Sequence, residues 1–148
     1  MEIQTPYFGI VSCSEKDFIH FSDGLFGFNE LKTYIPLAFY DDSDALICLQ
    51  SIENENTSFI IMNPFLFYPE YSPDLPEEDK RLLNISDEEG SISYYVICVV
   101  HDSLEDSTVN LKCPIAVNAQ TREARQIFLD NPSYTYRHLL RNFTKREE

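Results

Sequence analysis

The segment SISYYVICVV (91–100) is a run of β-branched and aromatic residues of strand length. Successive side chains of a strand point to opposite faces. One face therefore carries Ile92, Tyr94, Val96, Cys98 and Val100, and the other Ser93, Tyr95, Ile97 and Val99. A strand with one wet face alternates apolar and polar residues, and this one does not. It must be covered on both sides or line a small barrel.

Similar runs flank it on either side. SFIIMNPFLF (58–67), TVNLKCPIAVN (108–118), ALICLQSI (45–52) and KTYIPLAF (32–39) have the same composition. The first dozen residues, DFIHF (17–21) and ARQIFL (124–129) are weaker signals of the same kind. Turn chemistry separates the runs at SDGLFG (22–27), DDSD (41–44), ENEN (53–56) and DEEG (87–90). Only SPDLPEEDKRLLN (72–84) reads as a helix, over about 74–84, with Asp74 as cap and Glu77, Glu78 and Asp79 at the positive end of its dipole. The fold expected is mainly β: a small antiparallel β-barrel-like domain with one short helix. It fills 1–140 as a single domain, followed by a flexible tail over 141–148. Pro36, Pro64 and Pro114 fall inside strand-like runs. Each lacks a ladder donor, so each belongs at an edge or a bulge.

A chain of 148 residues hides roughly 70% of its unfolded surface and folds without metal or disulfide support. The start, MEIQTPYFGIVSCSEKDF, lacks the basic and apolar regions of a signal peptide, and no apolar run approaches the roughly 20 residues of a membrane helix. The expected location is the cytoplasm, away from membranes. There Cys13, Cys48, Cys98 and Cys113, which form no CxxC, read as buried free thiols. The sequons at Asn56, Asn84 and Asn142 then have no role.

The net charge is −14, and it is unevenly spread. Residues 122–148 hold six basic and four acidic side chains, a net of +2, which leaves −16 on 1–121. Such a body repels phosphate backbones, which argues against direct nucleic-acid binding. It speeds encounter with a basic protein.

The residues for catalysis do not converge. His20, His101 and His138 make no metal-binding pair, and GxGxxG, GxxxxGK[ST] and GxSxG do not occur. DDSD lacks the glycine and the distal glutamate of a calcium loop. Lys112 beside Cys113 invites a lowered thiol pKa. On one continuous strand, however, neighbours face opposite ways, so adjacency makes no ion pair. The acids at 77–79, 87–89 and 102–106 read as solvated turns and a helix start. No enzyme, cofactor or metal is expected from these residues.

Four stretches in series resemble one family, the flagellar assembly factor FliW. IQTPYFGIVSCSEKDFIHFSDGLFGFNELKTY carries a Gly-Leu-x-Gly-Phe turn at Gly24, Leu25, Gly27 and Phe28. LQSIENENTSFIIMNPFLFYPEY is similar to a Leu-Gln-Ser…Phe…Pro-Phe signature at Leu49, Gln50, Ser51, Phe59, Pro64, Phe65 and Tyr71. STVNLKCPIAVNAQTREARQIFL carries Asn110, Leu111, Pro114, Ile115, Val117, Asn118 and Gln126, and SYTYRHLL adds Tyr134 and His138. Cys48 and Ser22 depart from the family's usual aromatic or aliphatic residue and proline.

The resemblance implies a monomeric, non-catalytic β-barrel-like protein with two partners in alternation. One is flagellin in the cytoplasm before export. The other is CsrA, a basic RNA-binding translational repressor, antagonised without occupation of its RNA site. For Gly24, Gly27, Gln50, Ser51, Pro64, Phe65 and Gln126 it implies structural or binding roles. Beside CsrA, a negative surface raises the cost of bringing in phosphate over about one Debye length, roughly 8 Å. Glu77, Glu78, Asp79, Asp102, Glu105 and Asp106 are the candidates for that surface. Asn110, Pro114 and Asn118 are candidates for an edge beside a binding surface, the two asparagines serving backbone groups that Pro114 leaves unpaired. Two alternatives stand beside this one: a flagellin chaperone without a CsrA role, and a β-barrel enzyme or ligand carrier, which requires an enclosed pocket with converging polar groups.

Overall fold

The computed structural model describes residues 1–40, 43–85 and 92–144. A hairpin opens the chain, β1 (Glu2–Thr5) against β2 (Gly9–Ser12). There follow β3 (Ile19–Phe21), β4 (Thr33–Ala38), β5 (Ile47–Ser51), β6 (Ser58–Met62), α1 (Glu77–Leu82) and β7 (Ile92–Val99). The last elements are β8 (Thr108–Val109), β9 (Ile115–Asn118), β10 (Glu123–Gln126), β11 (His138–Leu139) and α2 (Arg141–Thr144). Seven strands close a barrel in the order β3, β4, β5, β6, β7, β9, β10 and back to β3. Strand β7 forks: its first half, 92–95, pairs with β9, while Cys98 and Val99 pair with β8.

The sheet is mixed rather than purely antiparallel, because β10 runs parallel to β3 through His20↔Glu123 and Phe21↔Ala124. The reason is parity. A closed ring with every neighbour antiparallel needs an even number of strands, and this ring has seven.

The two apolar faces of β7 serve two cores. Tyr95 and Ile97 pack with Phe21, Leu25, Tyr34, Leu49, Ile61 and Ile115 inside the barrel. Val96 and Cys98 pack outward with Tyr71, Leu83, Val109, Leu111, Ile127 and Tyr134, supplied by the segments that wrap the barrel. A third, smaller cluster of Cys13, Phe18 and Ile35 lies with Ile3 beneath the opening hairpin. Every residue of β5 is consequently buried.

The prolines set where ladders stop. Ile52 N–H donates to Thr33 O and Phe39 N–H to Leu46 O, so Pro36, opposite Leu49, occupies a non-hydrogen-bonded pair. Its nitrogen faces the side that β3 leaves open beyond Tyr34, where no donor is required. Pro64 ends the run 58–67 early: β6 stops at Met62, and Pro64–Leu66 forms a 3-10 turn capped by Asn63. Pro114 divides the run 108–118 into β8 and β9. In the gap, Asn110 Oδ1 accepts from the N–H groups of Lys112 (3.1 Å) and Cys113 (2.9 Å). Lys112 and Cys113 are thus in a turn, and the strand alternation expected of them does not apply.

The helix is shorter than the expected 74–84. Pro76 forces the preceding residue to be extended, so the helix begins at Glu77 and Asp74 does not cap it. It ends in a Schellman turn: Asn84, at φ 57°, and Ile85 donate to the carbonyls of Arg81 and Lys80. The tail expected over 141–148 begins as a second helical turn, α2, with Phe143 against Phe67 and Tyr68. Residues 145–148 lie outside the described residues.

At the start of β11, His138 Nε2 accepts a hydrogen bond from Thr135 N–H at 2.8 Å. That bond requires the unprotonated ring, and burial holds the His138 pKa below its usual value. The unfolded state therefore takes up a proton first as pH falls. The stabilisation is whole above the ordinary histidine pKa and is lost as pH drops through the lower folded one. Urea midpoints of the protein should decline below about pH 6.5 more steeply than those of His138→Asn. Parallel curves for the two proteins would remove this role.

Candidate functional site

The turn at Gly24–Phe28, the β5–β6 turn and the turn before β9 lie at one end of the barrel. Gly24, at φ +70°, turns the chain so tightly that an added Cβ would lie 2.6 Å from Phe28 O. Gln126, 8% exposed on β10, joins this turn to the one before β9. Its Oε1 accepts from Phe26 N–H (2.8 Å) and its Nε2 donates to Cys113 O (3.2 Å). Gly27, at φ +85°, has open space where a side chain would be. At the β5–β6 turn, Gln50 Nε2 donates to the carbonyls of Ser51, Glu55 and Thr57, while Ser51 Oγ accepts from the N–H groups of Glu53 and Asn54. These residues hold turns together.

Pro64 and Phe65 introduce an aromatic layer over the outer core. Phe65 lies near Tyr71 and Tyr94, and Tyr71 packs edge-on against Tyr134 at 4.9 Å. Tyr71 Oη donates to Leu111 O (2.7 Å), and Tyr134 Oη accepts from Ser72 N–H (3.0 Å). Both rings pin the wrapping segments onto the barrel.

Asn118, 4% exposed, does not serve the Pro114 turn as the sequence suggested. Its Oδ1 accepts from Gln120 and Thr121, and its Nδ2 donates to Leu83 O, tying the end of α1 to β9. Asn110 does serve that turn. Pro114 is buried, and its carbonyl accepts from Ile127 N–H.

The candidate acids are not one uniform field. Asp79 is paired with Arg125 at 2.8 Å, the two side chains 14% and 20% exposed, and Arg125 also pairs with Asp23. Glu77 and Glu78 meet Lys80 and Arg81 one helical turn on. Asp106 pairs with Arg141 of α2. Asp102 and Glu105 are exposed and have no ion pair among the described residues. Arg125 was not singled out in the sequence. Its partners lie 46 and 102 residues away, so only its position between Ala124 and Gln126 on a largely buried strand hinted at a paired charge.

The thiols are core residues. Burial pushes the Cys113 thiol up, outweighing Lys112, and pushes Cys98 up to about 11. Lys112 instead donates to Asn131 O (3.2 Å) and sits 5.1 Å over the Phe128 ring. Inside the barrel, a space of about 130 Å³ remains beside Ile19, Ile47, Ile61 and Tyr95. Ligand pockets usually span about 300–1,000 Å³. Among the described residues, no His, Cys, Asp and Glu cluster could hold a metal, and no helix is long and apolar enough to cross a membrane.

Comparison with known proteins agrees with this architecture. A family model described as FliW protein matches residues 2–140. The flagellar assembly factor FliW of Bacillus pumilus is 37% identical over 95% of this chain and 96% of its own. That of Caldanaerobacter subterraneus subsp. tengcongensis is 36% identical, over 93% and 91%. A crystal structure of the flagellar assembly factor FliW superposes with a TM-score of 0.87 at 34% identity, covering 95% of this chain and 96% of that one. With the family model matching residues 2–140 and the barrel reproduced, the chain belongs to the FliW family of flagellar assembly factors, proteins without enzymatic activity.

Proposed function

We propose that this protein binds flagellin in the cytoplasm and, as a monomer, acts as an allosteric, non-competitive antagonist of CsrA that relieves repression of flagellin mRNA translation. Membership of the FliW family over residues 2–140 is the observation that carries the reading. The charge distribution supports it. Residues 1–121 hold a net −16, suited to a basic regulator and unsuited to RNA. Of the nominated acids, Asp79 is largely buried in its pair, Glu77, Glu78 and Asp106 stay exposed beside a basic partner, and Asp102 and Glu105 are exposed with no ion pair among the described residues.

Co-purification with flagellin and with CsrA, separately and together, at low and high salt, tests the proposal. Association with CsrA should weaken strongly as salt rises, and association with flagellin only slightly. Retention of neither protein overturns the reading. Retention of flagellin alone leaves the chaperone role without the CsrA role.

A further inference from the structure

Outside the barrel, an open cleft of about 820 Å³ runs between two irregular segments, Ser72, Asp74 and Pro76 on one side and 128–132 on the other.

Its chemistry points in one direction. Asp74 and Asp130 both line it, and neither has an ion pair or hydrogen bond among the described residues. Phe128 lines it too and is 51% exposed. The chain's own Lys112 already lies over the Phe128 ring and donates to Asn131 O, so an ammonium suits this surface. Lys112 supplies one positive charge against two carboxylates, which leaves the cleft negative.

The backbone adds a second feature. Beyond the end of β10, the N–H groups of Ile127 and Leu129 donate to Pro114 O and Lys112 O (both 2.9 Å), prolonging the ladder with the turn before β9. The alternate N–H groups, those of Phe128 and Asp130, have no partner among the described residues. Strand β3 pairs with β10 only at Glu123 and Ala124, so this edge stays open. An open extended edge pairs readily with another extended backbone. A cleft this open does not enclose a small molecule.

We infer that the cleft takes an extended polypeptide segment that lays its backbone along residues 128–130, an apolar side chain on Phe128, and a lysine or arginine between Asp74 and Asp130. The inference rests on the cleft alone, and it stands or falls independently of flagellin and CsrA.

The test is ¹H–¹⁵N NMR titration of the full chain with a capped hexapeptide alternating leucine and arginine. The same peptide with glutamate in place of arginine is the control. Shifts should concentrate at 72–76 and 126–132 with the first peptide and be absent with the second. Asp74→Asn combined with Asp130→Asn should weaken binding at least tenfold. Glu2→Gln combined with Glu15→Gln removes the same formal charge elsewhere and should leave affinity within twofold. All four side chains are exposed or unpaired, so folding is not at issue. Scattered shifts, an equal response to the glutamate peptide, or equal loss in the two double variants would each overturn the inference.

Discussion

Gly24→Ala should destabilise the protein by about 2–5 kcal/mol, combining the cost of a left-handed backbone with that of overpacking. Gly24 has φ +70°, and a Cβ built there lies 2.6 Å from Phe28 O and 2.7 Å from Asn29 Cα. Those atoms are backbone, so relief requires the whole turn to move. The turn cannot move freely, because Gly24 N–H donates to Phe21 O and Phe28 N–H donates to Leu25 O. Leu25, 1% exposed, and Phe21, fully buried, belong to the barrel interior. At ~2–4 °C per kcal/mol for a chain of this size, the melting temperature should fall by about 5–20 °C. Gly27→Ala is the internal control. Its φ is +85°, but nothing lies within 4 Å of the added carbon, so only the backbone cost of about 1–2 kcal/mol remains. Thermal unfolding of the two variants side by side decides the matter. Equal losses would mean that the close approach beneath Gly24 has no energetic weight.

Gln126→Leu should cost about 1–3 kcal/mol, because it strands the buried Cys113 carbonyl and removes the partner of the part-buried Phe26 N–H. The leucine keeps the volume and the burial. It loses the bond from Phe26 N–H and the bond to Cys113 O, which is buried. Gln126→Glu separates this account from simple packing. The carboxylate still accepts from Phe26, but it cannot donate to Cys113 O and sets negative charge against that carbonyl. It should therefore fail to rescue stability at neutral pH and recover partly in acid, where the protonated group donates again. Urea unfolding at two pH values gives both readings. A Gln126→Leu protein within about 0.5 kcal/mol of wild type would show that the bridge is incidental.

Both residues were legible as special in the sequence, but for different reasons. Two glycines, three and six residues past the strand-like run 17–21, mark a turn, and that is local information. The glutamine only marks a polar residue on a buried strand. Its two partners come from segments 100 and 13 residues away, which meet only once the barrel closes. The candidate acids divide the same way. Their exposure at a helix start or turn could be read, whereas neutralisation of Asp79 by Arg125 depended on where α1 docks.

The sequence by itself determined the β class, the positions of the main strands, the burial of the cysteines and the two-sided cover of β7. These follow from side-chain alternation and burial, which are written into each segment. Only the tertiary structure decided that the ring holds seven strands with one parallel pair, that Pro114 splits a run in two, and which carboxylates stay unpaired. Ring parity and ion pairing depend on which distant segments become neighbours, and no local pattern encodes that choice.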